Sequence, residues 1–228
     1  MNKGTNLYPQ VLTLNFGDVQ IDLDVPEGVW NPTPHGMHLG NMILQLDFKD
    51  AEVLELGSGC GNHTILICQK KPKKLTVTEI SQSILDNTRH NLLKNNIDIP
   101  VEYMIADWTC LNKGPFDVLI TNPPFAKSGK RYYRYFIDTL INDAHKLVKP
   151  GGRLIFVQSS MADLQRSINL MEEWGMDVRI VGEWKGPFRE YYFEDEIFME
   201  NIEKFPGAYE MVDNQYIETL TVFESTLP

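Results

Sequence analysis

The chain has 228 residues, 43% of them hydrophobic and 23% charged, with a formal net charge of -10 and a pI near 5.0. That size supports one domain with a single sizeable core, and no run of about 18 apolar residues is present to span a membrane. The acidity speaks against a surface that grips nucleic acid by neutralising phosphates and favours a protein, peptide or small-molecule partner.

The N-terminal "MNKGTNLYPQ" lacks the apolar segment of a secretory signal, so a cytoplasmic location is expected. Residues 11–25 alternate apolar and polar around Gly17-Asp18, which predicts a β-hairpin. Residues 35–46 space Met37, Leu39, Met42, Ile43 and Leu46 as one helix face. Short apolar runs then alternate with helical stretches. Strands are expected at 51–57, 74–80, 101–107, 116–122 and 152–158, and helices at about 62–70, 82–95, 132–148 and 161–174. "KPGG" (149–152) is expected to end a helix and turn the chain into the next strand. Two more strands, 177–184 and 216–225, are expected to pair antiparallel at one edge, separated by an acidic, aromatic insert. The β-α alternation and near-continuous apolar strands predict an α/β fold, a doubly wound, mostly parallel seven-stranded sheet covered on both faces.

The first strand of that sheet ends in "ELGSGCGN", where ligands of open α/β sheets bind. Gly57, Gly59 and Gly61 permit a tight turn and close backbone approach. Asn62 stands where the dinucleotide pattern needs its third glycine, and no G-K-[ST] follows, so neither a dinucleotide fingerprint nor a P-loop is present. Glu79 ends the second strand, where a carboxylate can accept both hydroxyls of a ribose. Asp107 ends the third beside Trp108, a pairing able to hold an adenine amino group and ring. After the fourth strand comes "TNPPF", whose prolines fix the backbone behind Asn122.

Together these residues resemble a class I S-adenosylmethionine-dependent methyltransferase from about Gly28 to Gln158. "NPPF" resembles the [DNS]-P-P-[YF] signature of amino-methyltransferases, and "PEGVWNPTPHGMHL" is similar to a segment of the HemK-like glutamine methyltransferases. The resemblance implies S-adenosyl-L-methionine as cofactor. It implies that Glu55, Gly57, Ser58, Gly59 and Gly61 shape the methionine side of its site. Glu79 would then take the ribose, Ile80 the adenine ring and Asp107 the adenine amine, with Trp108 nearby and Asn122 at the methyl. It implies one domain over 1–228: an N-terminal hairpin and helix (1–50), a cofactor-binding core (51–160) and a substrate-side insert (185–215).

An amide or aryl amine delocalises the lone pair that must attack the methyl carbon. The side-chain oxygen of Asn122 and the backbone carbonyl of Pro123 can accept its N–H groups and aim that lone pair, while Phe125 stacks on a planar acceptor. Trp30, His35, Tyr191 and Tyr192 are further candidate acceptor contacts. His35 and His38 have no carboxylate or thiolate in pattern with them, and Cys60, Cys68 and Cys110 have no C-x-x-C spacing, so no metal is expected. The leading expectation is transfer to a nitrogen of a protein side chain or small molecule. The alternative is an exocyclic amine of RNA or DNA, gripped by Lys127, Lys130, Arg131 and Arg134 beside Tyr132, Tyr133 and Tyr135. A scaffold that binds cofactor without catalysis is the third reading, and the intact Asn122-Pro123-Pro124-Phe125 argues against it.

Overall fold

The computed structural model describes residues 9–107, 111, 113–124 and 134–228. Strands β1 (Gln10–Phe16) and β2 (Val19–Val25) form the expected hairpin, with Gly17 at a φ of +54° in its turn. Helix α1 (Pro34–Ile43) starts where Thr33 accepts the Gly36 N–H and Pro34 supplies a preset φ. Then follow β3 (Glu52–Leu56), α2 (Asn62–Gln69), β4 (Lys74–Glu79), α3 (Gln82–Lys94), β5 (Val101–Ile105) and β6 (Phe116–Thr121). After these come α4 (Tyr135–Leu147), β7 (Val148–Ser159), α5 (Leu164–Glu173), β8 (Asp177–Pro187), α6 (Glu196–Glu203), β9 (Glu210–Val212) and β10 (Gln215–Thr226).

The main sheet runs β5-β4-β3-β6-β7-β10-β8, with β9 added on β10. Its first five strands are parallel, and β10 runs antiparallel to β7, β8 and β9. From β3 the chain moves outward to β4 and β5, and then returns to β6 on the other side of β3. The carboxyl ends of β3 and β6 therefore flank the crevice where such a sheet receives its ligand.

Strand alternation divides the core. Val53, Val77, Val118, Ile120, Ile155 and Val222 face α1, α2, α3 and the hairpin. Leu54, Leu56, Leu119, Leu154, Phe156 and Phe223 face α4 and α5. Burial of both faces is why the central strands read as continuous apolar runs.

Two of the boundaries that differ from the sequence reading have clear causes. "KPGG" lies inside β7: Phe116 pairs with Val148 and Val118 with Arg153, so the extra residues are absorbed as a bulge around Gly151 at a φ of +74°. Leu227 ties that bulge down, accepting from the Gly151 N–H at 2.9 Å and donating to the Gly152 carbonyl at 2.9 Å. Helix α5 begins at Leu164 and not 161, because Ser160–Ala162 is a 3-10 turn and Asp163 caps the helix at the Arg166 N–H, 2.9 Å away. The insert between β8 and β10 carries α6, β9 and a 3-10 turn at Glu190–Tyr192. It has its own apolar centre of Phe188, Tyr192, Phe198, Ile202 and Ala208 against Met161.

The hairpin is fastened by asparagines on one face of α3. Asn95 accepts the Asp22 N–H (2.9 Å) and donates to the Asp22 carbonyl (2.7 Å). Asn91 does the same to Asp24, at 2.9 Å each way, and Asn87 also donates to the Asp24 carbonyl at 2.9 Å. Their i, i+4, i+8 spacing sets them in a row, so side-chain amides close the β2 edge as a strand would.

Candidate active site

The glycine turn after β3 is held from both sides. The N–H groups of Gly57 and Ser58 both donate to the Thr78 carbonyl, at 3.1 Å each. Thr88 of α3 donates to the Gly59 carbonyl (3.0 Å), and its hydroxyl lies 2.9 Å from that of Ser58. Gly61 caps α2 at a φ of +85°, and a Cβ there would lie 3.1 Å from Thr88 Cγ2. At Gly59 (φ +57°) a Cβ would meet nothing within 4 Å, so this part of the turn opens on the crevice.

Glu79 stands across the turn. Its carboxylate accepts from the Gly59 N–H (2.7 Å) and the Ile80 N–H (3.1 Å). These two bonds fix its orientation; burial nevertheless raises its pKa above the ordinary carboxylate value, because desolvation outweighs them. Beyond it, Ile80 is 73% exposed and Ile105 57% exposed, and β4 pairs with β5 so that Ile105 lies opposite Glu79. Exposed isoleucines at the crevice edge offer an apolar wall. Asp107 follows on the same edge, while Trp108 lies outside the described residues.

Beneath the turn two buried polar atoms have no hydrogen-bond partner among the described residues. Glu55 accepts from the Thr64 hydroxyl through Oε2 (2.6 Å), and its Oε1 is unpaired. Burial pushes its pKa up to about 7. Asn62, at the first turn of α2, has an unpaired Nδ2 although its side chain is buried. Unpaired buried groups of this kind point to a ligand that completes them.

Asn122 follows β6 on the other side of the crevice, and Thr121 binds β6 to β3 by donating to the Leu56 carbonyl at 2.9 Å. The Asn122 side chain is half-buried and its amide packs near Gly36 of α1. Pro123 is buried and Pro124 exposed. Phe125, Lys127, Lys130, Arg131, Tyr132 and Tyr133 lie outside the described residues. Arg134 is described, and it is 2% exposed. It donates to Asp138 (2.7 Å), Ser167 (2.9 Å) and the Asp163 carbonyl (2.8 Å), and also to the Ala162 carbonyl. It is thus a strut between α4 and α5 and not a phosphate contact.

Toward the β10 side, α1 carries His35 into the interior, where its Nε2 is 3.7 Å from Glu218 Oε2. Glu218 also accepts from the Ser159 hydroxyl (2.6 Å), and burial pushes its pKa up to about 7. Burial pushes His35 down to about 3 and His63 down to about 4, so both rings are neutral at physiological pH. Neutral His63 therefore donates from Nε2 to the Gly36 carbonyl at 2.8 Å.

Beside the α1 start lies an open cleft of about 700 Å³ between Pro34, Trp184, Phe188, Arg189, Tyr191 and Glu194. The Trp184 indole folds over Gly186, where a Cβ would lie 1.7 Å from its ring. Of the aromatic pair expected at the acceptor, Tyr191 lines this cleft. Tyr192 is only 1% exposed and packs inside the insert, accepting from Arg189 Nε at 3.0 Å. The two rings touch, with centroids 4.6 Å apart, and sequence adjacency gave no sign that only the first would face the cleft. Trp30 is 45% exposed.

Residues 38–186 match the family described as Methyltransferase small domain. The chain belongs to this family. It is an S-adenosylmethionine-dependent methyltransferase with an α/β fold of the Rossmann-like kind. A Methanocaldococcus jannaschii protein provisionally named a protein N5-glutamine methyltransferase is 29% identical over 64% of this chain and 80% of its own length. Ribosomal RNA small subunit methyltransferase C of Mannheimia succiniciproducens is 32% identical over 54% of this chain, which spans only 38% of that protein. Among solved structures, the T. thermophilus 16S rRNA N2 G1207 methyltransferase, in complex with AdoMet and guanosine, superposes with a TM-score of 0.63. It is 15% identical, and the match covers 98% of this chain and 52% of that one.

The residues of this methyltransferase fit its cofactor on the chain's own geometry. An open glycine turn, a braced carboxylate at the β4 end, an exposed isoleucine wall and the unpaired Glu55 and Asn62 atoms meet at one crevice. Local sequence pattern made the turn and Glu79 visible. Asn62 read only as a departure from another motif, and Glu218 carried no signal beyond its place in the strand expected at 216–225. No group of three or more His, Cys, Asp or Glu among the described residues is placed to hold a metal.

Proposed function

We propose that this methyltransferase transfers a methyl group to a planar amide or amine nitrogen, with a protein side-chain amide as the acceptor. The observation that carries this is the placement of Asn122 and the buried Pro123 at the β6 end, across the crevice from the glycine turn. S-adenosylmethionine supplies an electrophilic methyl on a sulfonium. The Asn122 side-chain oxygen and the Pro123 carbonyl accept the two N–H groups of the acceptor, so that its lone pair faces the methyl carbon. Two consecutive prolines and burial of the first hold that carbonyl still. Proton loss follows transfer, so no strong base is needed at this position.

On the donor side, Glu79 takes the ribose hydroxyls, Ile80 packs on the adenine ring and Asp107 takes its amino group. Glu55 Oε1 receives the ammonium of the methionine half, and Gly57, Ser58, Gly59 and Gly61 let the backbone approach it. On the acceptor side Tyr191 and Trp30 are contacts, and His35 shapes the pocket from within.

The relative provisionally named a glutamine methyltransferase supports an amide acceptor. A second reading, the exocyclic amine of guanine in ribosomal RNA, is favoured by the names of the other relatives. Against it stand the net charge of -10 and the commitment of Arg134 to the interior. The test is incubation of methyl-labelled cofactor with extract from a strain lacking the gene, split into protein, RNA and small-molecule fractions. Label in protein that is lost with Asn122→Ala is expected. Asn122-dependent label in RNA would replace the first reading by the second.

A further inference from the structure

The asparagine row of α3 does more than fasten the hairpin. Asn91 is fully buried, and every polar position on its side chain is used. Oδ1 accepts the Asp24 N–H, while Nδ2 donates both to the Asp24 carbonyl and, at 2.8 Å, to the Cys60 carbonyl. Cys60 lies between Gly59 and Gly61. One rigid, planar amide therefore joins the β2 backbone to the middle of the glycine turn. Less than one helical turn earlier, Thr88 holds the adjacent Gly59 carbonyl and packs against Gly61.

The hairpin is also anchored on its apolar side. Phe16 is buried against α1, where its ring occupies the space a Cβ at Gly40 would need. The Asp24 carboxylate is gripped by Lys94 (2.5 Å) and His90 (2.6 Å). The Asp24 backbone is thus held from several directions, and it cannot move without pulling on the Asn91 amide. Both N–H donors of that amide are committed, one to each side of the link.

We propose that the N-terminal hairpin is a positioning element for the methyl donor, acting through Asn91 on the carbonyl of Cys60. Asn91 is then a positioning residue for donor binding, and Asn95 an indirect one. Among the described residues, the hydrogen bonds of the Asn95 side chain go to the hairpin and its own helix: its amide donates to the Asp22 and Asn91 carbonyls, at 2.7 Å each. The inference rests on the reading of the glycine turn as the donor site.

The contrast between the two asparagines supplies the experiment. Donor affinity is measured by calorimetry with S-adenosylmethionine on the full chain, for wild type, Asn91→Ala, Asn95→Ala and the double variant. Melting temperatures are recorded alongside, and KM for the donor and kcat are measured once an acceptor is in hand. Asn91→Ala is expected to weaken donor binding about tenfold and Asn95→Ala severalfold, in the range of ordinary coupling energies. The double variant should fall short of the product of the two, and kcat at saturating donor should hold. A purely structural role would lower the melting temperature of both while leaving donor affinity at the wild-type value, and that result overturns the proposal. If Asn91→Ala does not fold, Asn95→Ala decides alone: unchanged affinity refutes the coupling. Failure of the wild type itself to bind the donor would instead remove the reading of the turn.

Discussion

Replacing Glu55 by Gln should make the empty protein more stable and the donor site worse. The carboxyl has an ordinary pKa of 4.5 and, buried, one of about 7. Below pH 4.5 it is neutral whether the chain is folded or not, and burial carries no ionisation cost. As the pH rises from 4.5 toward 7 the unfolded chain ionises while the folded one holds its proton, so stability drains away and levels off above 7. At about 1.4 kcal/mol for each tenfold in proton affinity, the loss at pH 8 is roughly 3 kcal/mol. Glutamine keeps an oxygen for the Thr64 hydroxyl and carries no proton to lose. The advantage of Glu55→Gln over wild type should therefore grow by about 3 kcal/mol between pH 4 and pH 8, or roughly 6–12 °C in melting temperature for a domain of this size. Urea unfolding of both proteins across that range, without cofactor, measures it. Adding S-adenosylmethionine should reverse the order at pH 8, since the variant has no charge to offer an ammonium. Parallel stability curves for the two proteins would refute the argument that this carboxyl is buried against its preference to serve a ligand.

Gly61→Ala combines a φ of +85° with a Cβ 3.1 Å from Thr88 Cγ2 and 3.3 Å from Thr88 Cα. It should cost about 2 kcal/mol in chemical denaturation. Arg134→Met leaves Asp138, Ser167 and two carbonyls short of a buried donor, so a loss of about 3 kcal/mol is expected. The same variant should leave RNA retention in a filter assay unchanged. His63, held neutral with a pKa pushed down from 6.5 to about 4, adds stability above pH 6.5 that is lost as the pH falls toward 4. His63→Gln should flatten that part of the melting curve by about 3 kcal/mol relative to wild type.

Much of this molecule is written locally. The strands of a doubly covered parallel sheet are largely apolar on both faces, so β3, β6 and β7 stand out as apolar runs without any partner being known, while β4 alternates Leu75 and Val77 with the buried Thr76 and Thr78. The glycine turn and Glu79 are equally local, because a ligand approached by backbone needs glycines in one stretch. What escaped the sequence depends on distant pairings. His35 and Glu218 meet only because β10 returns to pair with β7, where Leu220 lies opposite Ser159. Arg134 sits at the end of a basic, aromatic stretch and reads as surface, but the packing of α4 on α5 turns it inward. Tyr191 and Tyr192 look alike in sequence and differ through one 3-10 turn. "KPGG" has the composition of a turn, and β7 accommodates it as a bulge because the paired strand on β6 and Leu227 hold both of its ends.

The indole lying over Gly186 makes one backbone position a dial for the shape of the cleft proposed to receive the acceptor. Trp184 can form that wall only while position 186 carries no side chain, since even a methyl group would overlap the ring. A single substitution there would evict a large aromatic surface and reshape the cleft from several residues away from the chemistry. The donor site proposed on β3, β4 and α3 would be untouched by it. A lineage could therefore exchange one acceptor for another by a change at this glycine, with the methyl-transfer machinery inherited intact.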